Sequence, residues 1–169
     1  MKLNQKSAPA IGAILVATAV LTFADADKAH WEYRFEPAAG ITAAGQPNEE
    51  GLRELADAGY AAVIDLRTSG EDRGLDEQAV VEELGMKYIS LPIAGKSAVN
   101  FENAGILDQI LDGFEQPVLV HCGSSNRVGA MLALREKLNG ADDEAALAFG
   151  KSAGMTSLEA TVKAKLAED

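Results

Sequence analysis

The single cysteine of the 169-residue chain, Cys122, is followed by Gly123, Ser124, Ser125 and Asn126 and then by Arg127. A thiolate is the nucleophilic form of cysteine, and a guanidinium offers an oxyanion a planar two-pronged fork. The small residues between them let successive backbone N–H groups converge on one point as an anion nest. Ahead of Cys122, Val118 to Val120 is a short apolar run after Pro117, the pattern of a buried parallel strand. Behind Arg127, Val128 to Leu138 reads as a helix. Strand, tight loop and helix N-terminus put Cys122 where the helix dipole and Arg127 both favour the charged thiolate. A lone cysteine at a strand end often only packs as a small hydrophobe. The loop, the arginine and the helix together point beyond packing. Cys122 and Arg127 are therefore the candidate catalytic pair, and Gly123, Ser124, Ser125 and Asn126 the candidate anion-binding loop.

Strand and helix signals alternate along the rest of the chain, which predicts a single α/β domain with a mainly parallel central sheet flanked by helices. Strands are expected at 31–35, an edge, and at 41–44, 61–66, 87–93 and 118–120. Helices are expected after Asn48, over 75–84, after Asn100, over 128–138, 142–153 and 157–167. Asn48 and Asn100 have the residue type that caps a helix, and Glu49 and Glu50 suit a first turn. In open parallel sheets ligands bind beyond the carboxyl ends of the strands. Cys122 lies at such an end, and so do Asp65, Arg67 and the loop 94–99.

A net charge of −11 and a pI near 4.6 argue against nucleic acid or an anionic membrane surface as partner. Residues 1–26 read as a signal peptide or N-terminal anchor. Lys2 and Lys6 precede an uncharged stretch from Ser7 to Ala24, and Ala24-Asp25-Ala26 is an A-x-A cleavage site. Cleavage leaves a domain over 27–169, periplasmic or secreted and without a membrane partner. One cysteine cannot form an internal disulfide in an oxidising compartment, so a thiol kept there is either inert or useful.

The HCGSSNR loop resembles the signature of the protein tyrosine phosphatase superfamily. It is closest to a small bacterial dual-specificity-phosphatase-like branch whose members are also found fused to beta-lactamase-fold hydrolases. The resemblance extends to AGQP at 44–47, VIDLR at 63–67, LPIAG at 91–95, VGA at 128–130 and AFGKSAGM at 148–155. It implies a dual-specificity-phosphatase-like fold and hydrolysis through a phosphocysteine, with no metal or other cofactor. Four residues separate Cys122 from Arg127, where tyrosine phosphatases place five; the bacterial branch and rhodanese-type sulfurtransferases share the shorter loop. Val128 stands where a hydroxyl residue commonly assists departure of the thiolate. Ser125 stands where relatives tend to carry glycine, so a positive φ there would strain it.

A phosphatase also needs a general acid, which the resemblance places on the loop after the 87–93 strand. No Asp or Glu lies between Ser90 and Phe101. Glu102 and Asp65 are the remaining candidates, Asp65 being equally suited to holding Arg127 or Arg67. Glu71 and Asp72 read as a solvated loop. His121 is expected to tune Cys122 through hydrogen bonds, or to be a buried histidine satisfied by a carbonyl. His30 reads as a bystander, and the two histidines and Cys122 are too far apart to suggest a metal site. Three functions remain open. The first is an exported phosphatase-like hydrolase acting on a small phosphorylated anion or a phosphoprotein. The second is a rhodanese-like sulfurtransferase or sulfur-oxyanion protein using a Cys122 persulfide. The third is a non-catalytic anion-binding module.

Overall fold

The computed structural model describes Trp31 and residues 33–168; the expected leader lies outside them. Five strands form one sheet: β1 (Arg34–Ala38), β2 (Ile41–Ala44), β3 (Ala62–Asp65), β4 (Lys87–Ser90) and β5 (Val118–His121), in the order β1-β2-β5-β3-β4. β2, β5, β3 and β4 are parallel, and only β1 at the edge runs antiparallel, as a hairpin with β2. The expected mainly parallel α/β domain is what is found. β5 is central, and Val118 to His121 are all buried. A short strand covered on both faces is apolar along most of its length, which is why Val118 to Val120 do not alternate.

Among the described residues, six helices cover the sheet: α1 (Glu49–Asp57), α2 (Glu77–Glu83), α3 (Phe101–Leu111), α4 (Asn126–Leu138), α5 (Asp143–Ser152) and α6 (Glu159–Leu166). Two apolar clusters follow the period-2 alternation of the strands. Ile64, Val118, Val120 and Cys122 point into the larger one, with Met131, Leu132 and Leu134 of α4 and Leu107 of α3. Val63 and Leu119 point the other way, toward Leu52 and Leu55 of α1 and Val81 of α2. Consecutive residues of β5 therefore serve opposite layers: Cys122 belongs to the α3–α6 side and His121 to the α1–α2 side.

Asn48 and Asn100 cap α1 and α3 as expected, accepting from Gly51 N at 2.8 Å and Asn103 N at 2.9 Å. Two strand boundaries differ from the expectation. The edge strand begins at Arg34, because Tyr33 has φ 93° and breaks the extended backbone. Trp31 tucks beneath, 4% exposed, with the Arg34 guanidinium 5.0 Å from its ring centre. β4 ends at Ser90, past which Leu91 N and Ile93 N still donate to Asp65 O at 2.9 Å and Leu66 O at 3.0 Å. Within the loop 94–99, Lys96–Ala98 forms one turn of 3-10 helix.

α4 and α5 approach closely through two glycines. A Cβ on Gly129 would lie 2.4 Å from Gly150 O and from Met155 N, and one on Gly150 would lie 2.6 Å from Gly129 O. These are backbone atoms that cannot swing aside. Gly129→Ala should therefore destabilise the domain by about 3 kcal/mol, as overpacking of a tight core does. Gly105→Ala on α3, where the new methyl would meet only Leu138 Cδ1 at 3.9 Å, should instead stabilise by about 0.5–1 kcal/mol through helix propensity. Urea unfolding midpoints of the two variants check both signs.

Candidate active site

The loop from Cys122 to Asn126 is built on the carboxyl end of β5. Cys122 N donates to Ala44 O at 3.1 Å, tying the start of the loop to β2, and Ser124 bridges Gly45 beyond it. Cys122 is 1% exposed. Ser125 takes the left-handed conformation expected of that position, φ 62°. A non-glycine residue held there costs about 1–3 kcal/mol. Its hydroxyl donates to Ala153 O at 2.8 Å and offsets part of the strain. That hydroxyl is thereby turned away from the helix end. α1, α2, α3 and α5 each receive a side-chain cap at their first turn, whereas the α4 N-cap, Ser125, makes none. The first amides of α4 thus face the loop without a side-chain acceptor, and uncapped amides at a helix N-terminus are suited to an anion.

Arg127 curls back over this loop, with one terminal nitrogen 3.9 Å from where a Cβ on Gly123 would lie. Glu71 holds it: Nη1 donates to Oε1 at 2.7 Å and Nη2 to Oε2 at 2.6 Å. The carbonyls of Leu66 and Ile93 lie 3.4 Å from Nη1. The hydrogen bond to Glu71 raises the Arg127 pKa against the opposing effect of burial, and the charge on Cys122 adds to it. Glu71 itself is held far below the usual carboxylate range, first by that hydrogen bond and then by the Thr68 amide, the Arg127 charge and Arg67. The expectation of a solvated Glu71 is corrected here: it is the counter-ion of the candidate anion-binding arginine. A Glu71 carboxyl tuned this way holds no proton to give at ordinary pH.

On the other face of the sheet lies a buried ionic network. Asp65 and Glu77, each 0% exposed at the side chain, share the Arg73 guanidinium at 2.6 Å and 3.5 Å. Asp65 also accepts from the Arg67 amide at 2.7 Å and from Tyr88 Oη at 2.7 Å. The Tyr88 pKa is raised by burial and by the hydrogen bond to Asp65. His121 Nε2 lies 3.0 Å from Glu77 Oε1 and 3.6 Å from Asp65 Oδ1. His121 therefore faces carboxylates, where the sequence suggested either hydrogen bonds that tune Cys122 or a carbonyl partner. Asp65, Glu77 and His121 each bring a ligand atom within 4.8 Å of the others. Arg73 already supplies positive charge to both carboxylates, so the group reads as an ion-pair network and not as a metal site.

Cys122, Gly123, Ser124 and Ser125 form the loop after β5, and Arg127 folds back to Gly123 from the first turn of α4. Asn126 is adjacent, but its side chain is committed elsewhere: Oδ1 accepts from Thr156 N at 2.8 Å, and Nδ2 donates to Ser157 Oγ at 2.8 Å. Asn126 and Ser125 offer the loop their backbone amides, while their side chains clamp the α5–α6 turn beneath it. Asp65 does not reach the loop, being spent on Arg73, Tyr88 and the Arg67 amide across the sheet. Glu102 is exposed in the first turn of α3. Arg73, Glu77 and Gln46, whose side-chain amide donates to Glu77 Oε1 at 3.1 Å, escaped the sequence reading, and Glu71 was read as solvated. The spacing of Arg67 and Glu71, an i,i+4 ion pair at 3.3 Å, was the one local signal for Glu71.

A family model described as "DSP-PTPase phosphatase fused to NAD+ Kinase" matches residues 23–168. A Xylella fastidiosa protein named "Beta-lactamase hydrolase-like protein" is 33% identical over 104 residues, 59% of this chain and 24% of that protein. The chain spans about a quarter of the length of the curated relatives it matches. A candidate phosphatase of Shewanella putrefaciens CN-32 superposes with a TM-score of 0.65 at 21% identity, covering 85% of this chain and 92% of that one. Pseudomonas aeruginosa TpbA, solved as a cysteine-to-serine variant in complex with pTyr, superposes with a TM-score of 0.56 at 20% identity, covering 82% and 89%.

The Arg127–Glu71 pair yields a prediction for stability against pH. A carboxylate whose folded pKa is depressed adds stability above its unfolded value of about 4.3 and loses it as pH falls toward the folded value. With the Glu71 side chain 30% exposed and that of Arg127 20% exposed, solvent screening limits the effect to about 1 kcal/mol. Glu71→Gln should lower the urea midpoint by a constant amount from pH 8 to about pH 5. The difference from the parent should shrink below about pH 4. A difference that is flat through acid pH would mean that the carboxylate charge contributes nothing.

Proposed function

The chain belongs to the dual-specificity-type protein tyrosine phosphatase family, and we propose that it is an exported, cysteine-dependent phosphomonoesterase acting through a phosphocysteine. The observation that carries this reading is the Arg127 guanidinium, held by Glu71 and folded back against Gly123 in the loop that starts at the buried Cys122. In the proposed reaction the Cys122 thiolate attacks phosphorus. The bond from phosphorus to the leaving oxygen breaks, and its electron pair stays on that oxygen, which is then protonated. Water next attacks phosphorus, the S–P bond breaks, and inorganic phosphate leaves with the thiolate restored. Arg127 and the amides of Gly123 to Arg127 hold the equatorial oxygens as charge spreads over them.

Two features set the range of substrates. No Asp or Glu lies between Ser90 and Phe101, and Val128 follows the arginine. Glu102 stands as the candidate acid, on an exposed first turn. Slow turnover is expected, favouring leaving groups such as aryl alkoxides that need little help from an acid. A phosphorylated small molecule or a phosphoprotein fits this chemistry, and the pTyr complex of TpbA supports the same class. Export rests on Lys2, Lys6, the uncharged stretch and Ala24-Asp25-Ala26. No helix among the described residues is long and apolar enough to cross a membrane.

Incubation with an aryl phosphate should release inorganic phosphate. Cys122→Ser should abolish the release, and Arg127→Lys should lower kcat/KM by about 100-fold, since one ammonium cannot both pair with Glu71 at two points and hold the anion. Full activity in Cys122→Ser would sink the mechanism. The four-residue spacing keeps sulfur transfer as the second reading. If thiosulfate adds one sulfur to Cys122 by intact mass and no phosphate is released from the ester, the protein is a sulfurtransferase. If neither reaction occurs while phosphate still binds, it is an anion-binding module. Intact mass of protein from the native host should begin at Asp27; retention of residues 1–26 would contradict cleavage.

A further inference from the structure

Almost every cation in this acidic chain is paired. Among the described residues, each lysine and arginine but one meets a carboxylate within ion-pair distance or, for Lys87, the ring of Phe114. The exception is Lys96, which is exposed and has no carboxylate partner among those residues. An isolated surface lysine is ordinarily just solvated. Its setting distinguishes Lys96.

Lys96 is the only charged residue between Ser90 and Phe101. It stands on the loop after β4, which runs parallel to β3 as β3 does to β5, so this loop and the Cys122 loop leave the same end of the sheet. Ile93 joins the two: its N–H donates to Leu66 O at 3.0 Å, and its carbonyl lies 3.4 Å from Arg127 Nη1. Only Ala94 and Gly95 separate Ile93 from Lys96, so the two are at most about 11 Å apart. The turn that carries Lys96 is fixed at both ends. Gly95 enters it at φ 70° and ψ −171°, a conformation essentially confined to glycine. Asn100 Nδ2 donates to Ser97 O at 3.0 Å, and Asn103 Nδ2 to Ala98 O at 2.8 Å. Ile93 and Val99 on either side are buried, while the residues from Ala94 to Ser97 are exposed. A net charge of −11 repels anions from most of the surface. Arg127 is already matched by Glu71, and Lys96 is matched by nothing.

We propose that Lys96 anchors a second anionic group, so that the preferred substrate is a phosphate monoester whose alcohol bears another oxyanion. The proposal rests on the anion-cradle reading of the Cys122 loop and adds a requirement on the group attached to the anion. Lysine suits the task, because a point charge on a flexible stem can meet an anion over a range of distances.

The test is calorimetric binding at low salt to the Cys122→Ser protein, which keeps the cradle but cannot turn over. A carboxylate serves as the second oxyanion. Butyl phosphate is compared with 3-carboxypropyl phosphate, and hexyl phosphate with 5-carboxypentyl phosphate; each pair differs only in the terminal group. In at least one pair the carboxylate should bind about fivefold more tightly, the scale of one exposed ion pair, and high salt should shrink the advantage. Lys96→Arg should keep the preference. Lys96→Ala should abolish it and Lys96→Glu reverse it, with alkyl phosphate affinity moving less than about twofold. The proposal is overturned if neither carboxylate is preferred with Lys96 present, or if the preference survives Lys96→Ala. It is overturned as well if that variant weakens both members of a pair equally, as a purely structural role would require. If no member of either pair binds with Lys96 present, the anion cradle itself fails and takes the subsite with it.

Discussion

The Arg127 guanidinium is gripped by a carboxylate beside the cysteine loop. Its two terminal nitrogens meet Glu71 at 2.7 and 2.6 Å, and one of them lies 3.9 Å from where a Cβ on Gly123 would lie. A flexible arginine placed alone beside a nucleophile would spend most of its time in solvent, because its side chain has about 2 kcal/mol of rotamer entropy to lose. The bidentate grip of Glu71 removes that freedom before any ligand arrives. The same grip fixes the plane of the guanidinium beside Gly123.

The grip would be of little use over a loop free to change shape. The loop is held from beneath by the C-terminal helices: Ser125 Oγ reaches Ala153 O, and Asn126 takes the amides of Thr156 and Leu158. Those contacts require α5 to lie almost against α4, which Gly129 and Gly150 allow. They also require a turn at Gly154, φ 90°, where a Cβ would strike Phe35 at 2.6 Å and Ser125 at 2.8 Å. Glycines far from the chemistry in sequence therefore set the conformation of the residue that follows Ser124. Preorganisation of this kind lets backbone amides meet developing charge without reorganising first.

Much of this was legible in the sequence, for reasons that differ by element. The buried strand before Cys122 was plain because a centrally placed parallel strand leaves no polar position to obscure it. The caps at Asn48 and Asn100 were plain because capping is local, and the strain at Ser125 because a missing glycine is local too. Glu71 was not legible. Its partner lies 56 residues away, and an acidic residue in a polar loop looks the same whether it faces water or a guanidinium. The side-chain role of Asn126 was hidden likewise, since its partners on the α5–α6 turn are about 30 residues distant. Tyr33 was placed inside a strand because its neighbours alternate, and nothing in the residue types announces a positive φ at a tyrosine.

The network on the far side of the sheet explains how a polar loop can carry the residue that holds Arg127. Burying Asp65 and Glu77 is costly, and a buried ion pair often stabilises no more than an apolar replacement of the same shape. Its value here is positional. Asp65 accepts the Arg67 amide and Arg73 Nε, fixing both ends of the polar segment between them. Within that segment Thr68 N donates to Glu71 Oε1 at 2.9 Å, and Arg67 pairs with Glu71 from the same side. The carboxylate that orients Arg127 is thus set by a turn that is itself anchored to a buried charge. His121 joins the same network, and its successor along the backbone is Cys122. The two faces of the sheet are therefore coupled at one residue step. Aliphatic residues in place of Asp65 and Arg73 could preserve the core, yet they would release the turn that holds Glu71, and with it the direction of the fork.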